Sequence, residues 1–260
     1  MKSIASRDNP TFKTLRLLAE DGRVQRREGR TLLDGPHLVA EYLARMGLPE
    51  LLLVSDSGLR NPEVADILER CGSLDVLCLK DGLFAEISPV ATPVGIAAVI
   101  PIPAVRDDPI TESCALLENV QDAGNIGSIL RSAAAAGIGH VVLGPGCAGV
   151  WTPKVLRAAQ GAHFSLDLRE RGDLIGMAKA YPGLSIATVA TGDSRSLYEL
   201  DLKGPIAWIF GNEGGGLSPQ LAAAAKLRAT IPLSATSESL NVAAAAAVCF
   251  FEAARQRRGR

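Results

Sequence analysis

From residue 114 onward the sequence alternates between short apolar runs and longer stretches with helical spacing. The apolar runs fall at 114–118, 140–143, 184–189, 206–210 and 227–231. Helical stretches at 126–136, 152–159, 173–181 and 219–225 lie between them, and a last long helix is predicted over 241–255. This alternation implies a parallel sheet covered on both faces by helices, with ligands bound beyond the carboxyl ends of its strands. The alanine tracts at 133–136, 222–225 and 243–247 are helix formers within the same pattern.

The residues before this region read as a smaller α/β unit. Asn9-Pro10 is an N-cap followed by proline at the first helical position, with Phe12, Leu15 and Leu18 spaced by three behind it. A second helix is predicted over 36–46. Buried strands are predicted at 51–54 and 74–79 around a helix near 63–69, with another strand at 95–100. Pro101, Pro103 and Arg106-Asp107-Asp108-Pro109 then break the pattern. The boundary is therefore set there, giving domains of 1–105 and 106–260. A chain of 260 residues accommodates one large domain or two small ones.

Composition removes several classes of function. With 47% hydrophobic and 21% charged residues, disorder is excluded as the main state. The best apolar run, 240–251, falls short of the ~18–20 residues that span a bilayer. The opening Met1-Lys2-Ser3-Ile4-Ala5-Ser6-Arg7-Asp8 meets charge where a signal peptide needs its apolar region, so a soluble, cytoplasmic protein is expected. Cys71, Cys78, Cys114, Cys147 and Cys249 form no C-x-x-C pair and the three histidines are scattered. Buried free thiols are expected, with no metal site and no disulfide framework. Aromatics at 4% count against stacking platforms for single-stranded nucleic acid.

Charge is uneven beneath a net −1. Residues 1–30 carry eight basic against four acidic side chains, and the chain ends with Arg255, Arg257, Arg258 and Arg260. This asymmetry points to a polyanionic partner. A solvated basic helix face, with cations at a helix C-terminus, gives the same pattern.

One glycine-rich loop is a decoy. Gly144-Pro145-Gly146-Cys147-Ala148-Gly149 satisfies G-x-G-x-x-G after a strand, and Asp167 stands where an acidic ribose ligand belongs. Yet Trp151-Thr152-Pro153 delays the helix that should open inside the motif, and the loop follows the second strand of its domain rather than the first. A nicotinamide site is not expected. Three other loops are more informative: Asn119-Val120-Gln121-Asp122-Ala123-Gly124-Asn125-Ile126-Gly127 with Arg131 one turn on; Gly211-Asn212-Glu213-Gly214-Gly215-Gly216-Leu217-Ser218; and Ile231-Pro232-Leu233 with Ser239-Leu240-Asn241-Val242. Each sets small or polar residues just beyond an apolar strand. Glycine admits a ligand close to the backbone, and Asn or Ser supplies hydrogen bonds without charge. Taken singly, each loop reads equally well as a turn or a helix cap.

Together, in order and spacing, the three loops resemble the signature motifs of the SpoU/TrmH family of RNA ribose 2′-O-methyltransferases. Asn125, Gly127 and Arg131 match the first motif, and Gly211, Asn212, Glu213, Gly216 and Leu217 the second. Ile231, Pro232, Ser239, Leu240, Asn241 and Val242 match the third. Gly161-Ala162-His163-Phe164 fits a stretch between the first two. Ser6-Arg7-Asp8-Asn9-Pro10, Asp34-Gly35 and the stretch from Ile87-Ser88 to Gly95-Ile96 are similar to the family's auxiliary substrate-binding domain. Asp34 replaces the usual Glu and Val94 a frequent Gln; both departures bear on the RNA target rather than on methyl transfer.

The resemblance implies a parallel α/β fold with a C-terminal trefoil knot, preceded by a smaller ribosomal-protein-like α/β domain that binds RNA. It implies S-adenosyl-L-methionine as cofactor, contacted by Gly211, Ile231 and Leu240. It implies catalysis by Arg131, with Asn125, Glu213, Ser239 and Asn241 orienting Arg131 and the ribose. The basic residues Lys13, Arg16, Arg23, Arg26 and Arg27 are the expected RNA contacts. A homodimer through the C-terminal domain is also implied, with the helix over 242–251 contributing and Arg131 of one chain near the other's cofactor. Ribosomal RNA is the expected substrate. The same reaction on transfer RNA, or an RNA-binding protein that has lost catalysis, are the alternatives, and the intact Asn125, Arg131, Glu213 and Asn241 argue against such a loss. No histidine lies in the motifs to act as base. Taking the proton off a guanidinium at neutral pH costs about 8 kcal/mol, so Arg131 is read as a cation that holds phosphate and eases 2′-hydroxyl ionisation.

Overall fold

The computed structural model describes every residue except Ser73, Thr191, Gly192, Glu213 and Arg260. The chain divides into two units. Met1–Ala104 and Trp151–Phe164 form the first, while Val105–Val150 and the chain from Ser165 onward form the second.

The first unit contains β1 (Lys2–Ile4), α1 (Pro10–Glu20), α2 (Gly22–Glu28), β2 (Arg30–Asp34), α3 (Pro36–Arg45), β3 (Leu51–Ser55), α4 (Pro62–Cys71), β4 (Val76–Leu79), α5 (Asp81–Ile87) and β5 (Ile96–Pro101). Its sheet runs β1-β4-β3-β5-β2; β1, β4 and β3 are parallel, and β5 lies antiparallel to β3 and β2. Asn9 caps α1 by accepting from the Thr11 and Phe12 N–H groups, and Phe12, Leu15 and Leu18 enter the core beside Leu32, Leu53 and Phe84. The basic N-terminal stretch is two helices because the Asp21 carboxylate accepts from the Arg23 N–H and restarts the chain as α2. Sequence pattern does not reveal β1, β2, α2 or α5. These elements are short, and β1 and β2 become strands only by pairing at the two edges of the sheet.

The second unit is built on seven parallel strands: β6 (Cys114–Leu117), then α6 (Ala123–Ala136) and β7 (His140–Leu143). The chain passes through α7 (Pro153–Ala159) before returning with β8 (Asp167–Glu170), α8 (Leu174–Ala180), β9 (Leu184–Thr188), β10 (Arg195–Ser196), β11 (Ile206–Phe210), α9 (Pro219–Ala224), β12 (Leu227–Thr230) and α10 (Val242–Arg257). The strand order is β10-β12-β9-β11-β6-β7-β8, parallel at every pairing. All of β11 is buried. Phe210 meets Phe250 of α10 edge-to-face at 5.6 Å, while Ala207 and Ile209 face Leu116, Val142 and Leu221 on the other side. α10 packs along α6. β8 escapes the apolar pattern because, at the edge of the sheet, only its Leu168 is buried.

The expected division at 105/106 takes no account of the segment 151–164, which the pattern assigns to the second domain. That segment belongs with the first unit. α7 buries Pro153, Val155, Leu156 and Ala159 and packs on β2. Thr31 Oγ1 donates to the Trp151 carbonyl at 2.6 Å, and Phe164 meets Tyr42 edge-to-face at 5.4 Å. The five cysteines are free, and among the described residues no helix is long and apolar enough to cross a membrane.

Asp34 ends β2 with its side chain 4% exposed, 3.9 Å from the half-exposed Arg157 of α7. Burial pushes its carboxyl up from the ordinary value, against the opposing pull of a Ser88 hydrogen bond and of Arg157. The folded state thus holds this proton more tightly than the unfolded chain, and stability is lost as pH rises through the folded pKa. Asp34→Asn is expected to raise the melting temperature at neutral pH, the difference from wild type closing as the solution is acidified below the ordinary carboxylate range. Thermal melts of both proteins across a pH series check this.

Candidate active site

Because β6, β9, β11 and β12 are parallel, the segments that follow them leave the same edge of the second unit's sheet. Those after β9, β11 and β12 line one cleft of about 1030 Å3, at the upper end of the range for ligand sites. Gly211, Ile231 and Leu240 all line it, and so does Ser239. Val189, Leu197, Leu217 and Leu233 complete a largely apolar wall. Val189 and Leu197 carry no motif, and their only signal in the sequence is a position at or beyond the end of an apolar run.

The glycine-rich loop after β11 is shaped by Asn212. Its Oδ1 accepts from the Gly214 and Gly215 N–H groups at 2.8 and 3.0 Å, and its backbone exchanges two hydrogen bonds with Gly216. At Gly211 a Cβ would lie 2.3 Å from the Gly216 carbonyl and 2.5 Å from the Leu217 nitrogen, so only glycine fits. Cys249 lies in the cleft wall, where burial pushes its thiol up and keeps it protonated at neutral pH.

Two helix caps join the first motif to the third. Asp122 caps α6 by accepting from the Asn125 N–H at 2.7 Å. Asn241 caps α10 by accepting from the Ala243 and Ala244 N–H groups, and its Nδ2 donates to Asn125 Oδ1 at 2.9 Å. Arg131 lies on the exposed side of α6. Among the described residues its guanidinium makes no hydrogen bond or ion pair, so none joins it to Asn125, Ser239 or Asn241. Glu213 lies outside the described residues, as does Arg260.

The remaining sequence features fall elsewhere. The 144–149 loop opens no helix, since α7 begins only at Pro153. Asp167 starts β8, at the opposite edge of the sheet from the cleft, and is held there by Arg169 and His140. In the first unit Lys13 pairs with Asp8 and Arg27 with Glu28, whereas Arg16, Arg23 and Arg26 form no ion pair among the described residues. No group of His, Cys, Asp or Glu among the described residues suits a metal ion.

The sequence model of the SpoU rRNA Methylase family matches residues 113–251, which contain all three loops and both caps. The chain belongs to the SpoU rRNA methylase family. An uncharacterized tRNA/rRNA methyltransferase of Synechocystis is 33% identical over 260 residues, covering 98% of this chain and 94% of the relative. The 23S rRNA (guanosine(2553)-2′-O)-methyltransferase RlmP of Bacillus subtilis is 32% identical over 253 residues, covering 96% and 98%. The SpoU methyltransferase AviRb of Streptomyces viridochromogenes, solved with S-adenosylmethionine, superposes with a TM-score of 0.83 at 26% identity, covering 97% of this chain and 100% of that one. This SpoU protein is thus an S-adenosylmethionine-dependent RNA 2′-O-methyltransferase.

The cleft suits that cofactor. Ile231 and Leu240 offer apolar surface for a purine, and the Gly211 backbone is bare where a side chain would close the loop. Gly211→Ala must move the loop backbone, and calorimetry is expected to show S-adenosylmethionine affinity falling at least ~10-fold, about 1.4 kcal/mol, with the far-ultraviolet circular dichroism unchanged.

Proposed function

We propose that this SpoU enzyme methylates a ribose 2′-hydroxyl in ribosomal RNA, with Arg131 as the catalytic cation. The observation that carries the reading is the meeting of the three motif loops at one sheet edge, two of them lining the cleft and the first bound to the third through Asn125 and Asn241. Similarity to a 23S ribosomal RNA methyltransferase along nearly the whole chain supports the choice of RNA. When bound, S-adenosylmethionine supplies a methyl group already activated by its sulfonium. The chain's task is alignment, and help in removing a proton from a weakly acidic hydroxyl.

Gly211, Ile231 and Leu240 hold the cofactor in this proposal, while Asn125, Glu213, Ser239 and Asn241 orient the ribose. Arg131, with no acidic partner among the described residues, is available to an RNA phosphate and to the oxygen that develops charge. The C-terminal segment is proposed to form the family's trefoil knot. Membership of the SpoU family supports this. A homodimer through the C-terminal domain is proposed, with α10 contributing and Arg131 brought close to the partner's cofactor. Phe251, 47% exposed on α10, is the apolar residue such a contact would cover. In the first unit Lys13, Arg16, Arg23, Arg26 and Arg27 are proposed to hold the RNA backbone. The residues within 1–105 bind RNA and those within 106–260, apart from the segment 151–164, transfer methyl. The cytoplasm is the proposed site of action.

Arg131→Ala is expected to lower turnover by about 10²–10³-fold with S-adenosylmethionine affinity within about twofold of wild type. Arg131→Lys keeps the charge without the planar fork and should retain part of the activity, falling as pH rises through the lysine pKa. Turnover unchanged in Arg131→Ala removes Arg131 from the mechanism. Replacing Arg16, Arg23 and Arg26 together should flatten the dependence of RNA affinity on salt by about 2–3 units of logarithmic slope, measured by filter binding. Light scattering of the active protein should return twice the chain mass, and a fully active monomer would exclude the dimer.

A further inference from the structure

Two adjacent residues before the first motif, Glu118 and Asn119, each make a hydrogen-bonded tie to the glycine-rich loop after β11, one at either end. At the far end the Glu118 carboxylate takes two hydrogen bonds from one residue. The Ser218 N–H donates to Oε2 and the Ser218 hydroxyl donates to Oε1, both at 2.7 Å. At the near end Asn212 Nδ2 donates to the Asn119 carbonyl at 2.9 Å. Asn212 in turn folds the loop through Gly214, Gly215 and Gly216, and Ser218 starts α9 by accepting from the Leu221 N–H. The loop that borders the cleft thus hangs between two consecutive residues of another segment, about 100 positions earlier in the chain.

The anchoring segment is itself braced. Asn119 adopts a left-handed backbone at φ 54°, a conformation that few residues other than glycine take up. The 144–149 loop, which the nucleotide-fingerprint reading leaves without a purpose, supports it. Gly146 leaves a hole in which a Cβ would stand 2.5 Å from Asn119 Oδ1. The Ala148 N–H donates to the Val120 carbonyl at 2.9 Å, and Cys147 Sγ donates to the Leu117 carbonyl. Of the fingerprint-like glycines, Gly146 is explained by this contact with the Asn119 side chain and by its own φ of 88°.

We infer that Glu118 and Asn119 are positioning residues for methyl transfer: a two-point clamp that presets the loop after β11 in the shape that receives S-adenosylmethionine. The inference rests on the assignment of the cleft to that cofactor. It goes beyond it in giving cofactor affinity to residues outside the cleft lining. The same segment runs on into α6, so the loop after β11 and the start of α6 are held by one stretch of chain.

The test uses the full chain, calorimetric titration with S-adenosylmethionine, thermal melts, and methylation kinetics on RNA. Glu118→Ala is expected to raise the cofactor Kd and KM by ~10-fold or more, since hydrogen bonds to a charged group are lost. The KM for RNA and the kcat at saturating cofactor should stay within about twofold. Glu118→Gln should return the cofactor Kd to within about threefold of wild type, because its amide oxygen still accepts from the Ser218 N–H and its amino group donates to the hydroxyl oxygen. Ser218→Ala, which keeps one of the two bonds, should fall between them, and it carries the test together with Glu118→Gln if Glu118→Ala does not fold. Adding Ser218→Ala to Glu118→Ala should weaken cofactor binding less than Ser218→Ala does in the wild-type chain. A cofactor Kd unchanged in Glu118→Ala or Ser218→Ala overturns the clamp, as does a Glu118→Gln protein as weak as Glu118→Ala. Equal losses toward cofactor and RNA that track the melting temperature also overturn it. A wild-type chain that fails to bind S-adenosylmethionine overturns the cofactor assignment and the clamp together, whereas wild-type binding with unaffected variants rejects the clamp alone.

Discussion

The site depends on the position of β11, held in parallel between β6 and β9. Its five residues are buried, and its register places Phe210 opposite Leu117 and Ile209 opposite Ala187, so the three strands end at nearly the same level. Segments that leave these strands must then emerge side by side. Trp208 and Phe210 are fully buried aromatic anchors, each of a kind whose truncation costs about 3–5 kcal/mol. A strand held this firmly can carry a loop that glycine leaves short of side-chain contacts. The stability of the sheet and the precision of the cleft have the same origin.

Helix caps organise the polar contacts around the cleft. Asp122, Ser218 and Asn241 each cap a helix, and Ser218 and Asn241 also tie their helix starts to a segment more than ninety residues away. A cap satisfies backbone N–H groups that have no partner within the helix. When the same side chain also reaches another loop, the position of the helix start and the position of the loop are set together. Beside these paired groups Arg131 is an exposed cation without an acidic partner among the described residues. That arrangement suits a role toward an incoming anion better than one in holding the fold together.

The first unit shows how far sequence pattern reaches. The cap at Asn9-Pro10 and the spacing of Phe12, Leu15 and Leu18 are local, and the helix stands where they place it. β2 and α7 behave differently. Thr31 is buried because its hydroxyl finds the Trp151 carbonyl 120 positions later, and α7 buries its apolar face in this unit although its sequence neighbours belong to the other. Asp34, an acidic residue at a buried strand end, has Ser88 and Arg157 beside it, both distant in the sequence.

Sequence alone determined the alternation of strands and helices, the parallel sheet, the three loops and the family they resemble, because each depends on local spacing or on residue types in a fixed order. Gly211, Ile231 and Leu240, which the resemblance implies as cofactor contacts, line one cleft. Tertiary structure decided which loops touch: Asn241 with Asn125, Ser218 with Glu118, and Asn119 with Asn212. It also decided that 151–164 packs with the first unit, and that the 144–149 loop is a brace. The contacts among the loops follow from the order β9-β11-β6-β7 across the sheet. Strand order is set by which arrangement buries every apolar face at once, a property of the whole chain that no local window contains.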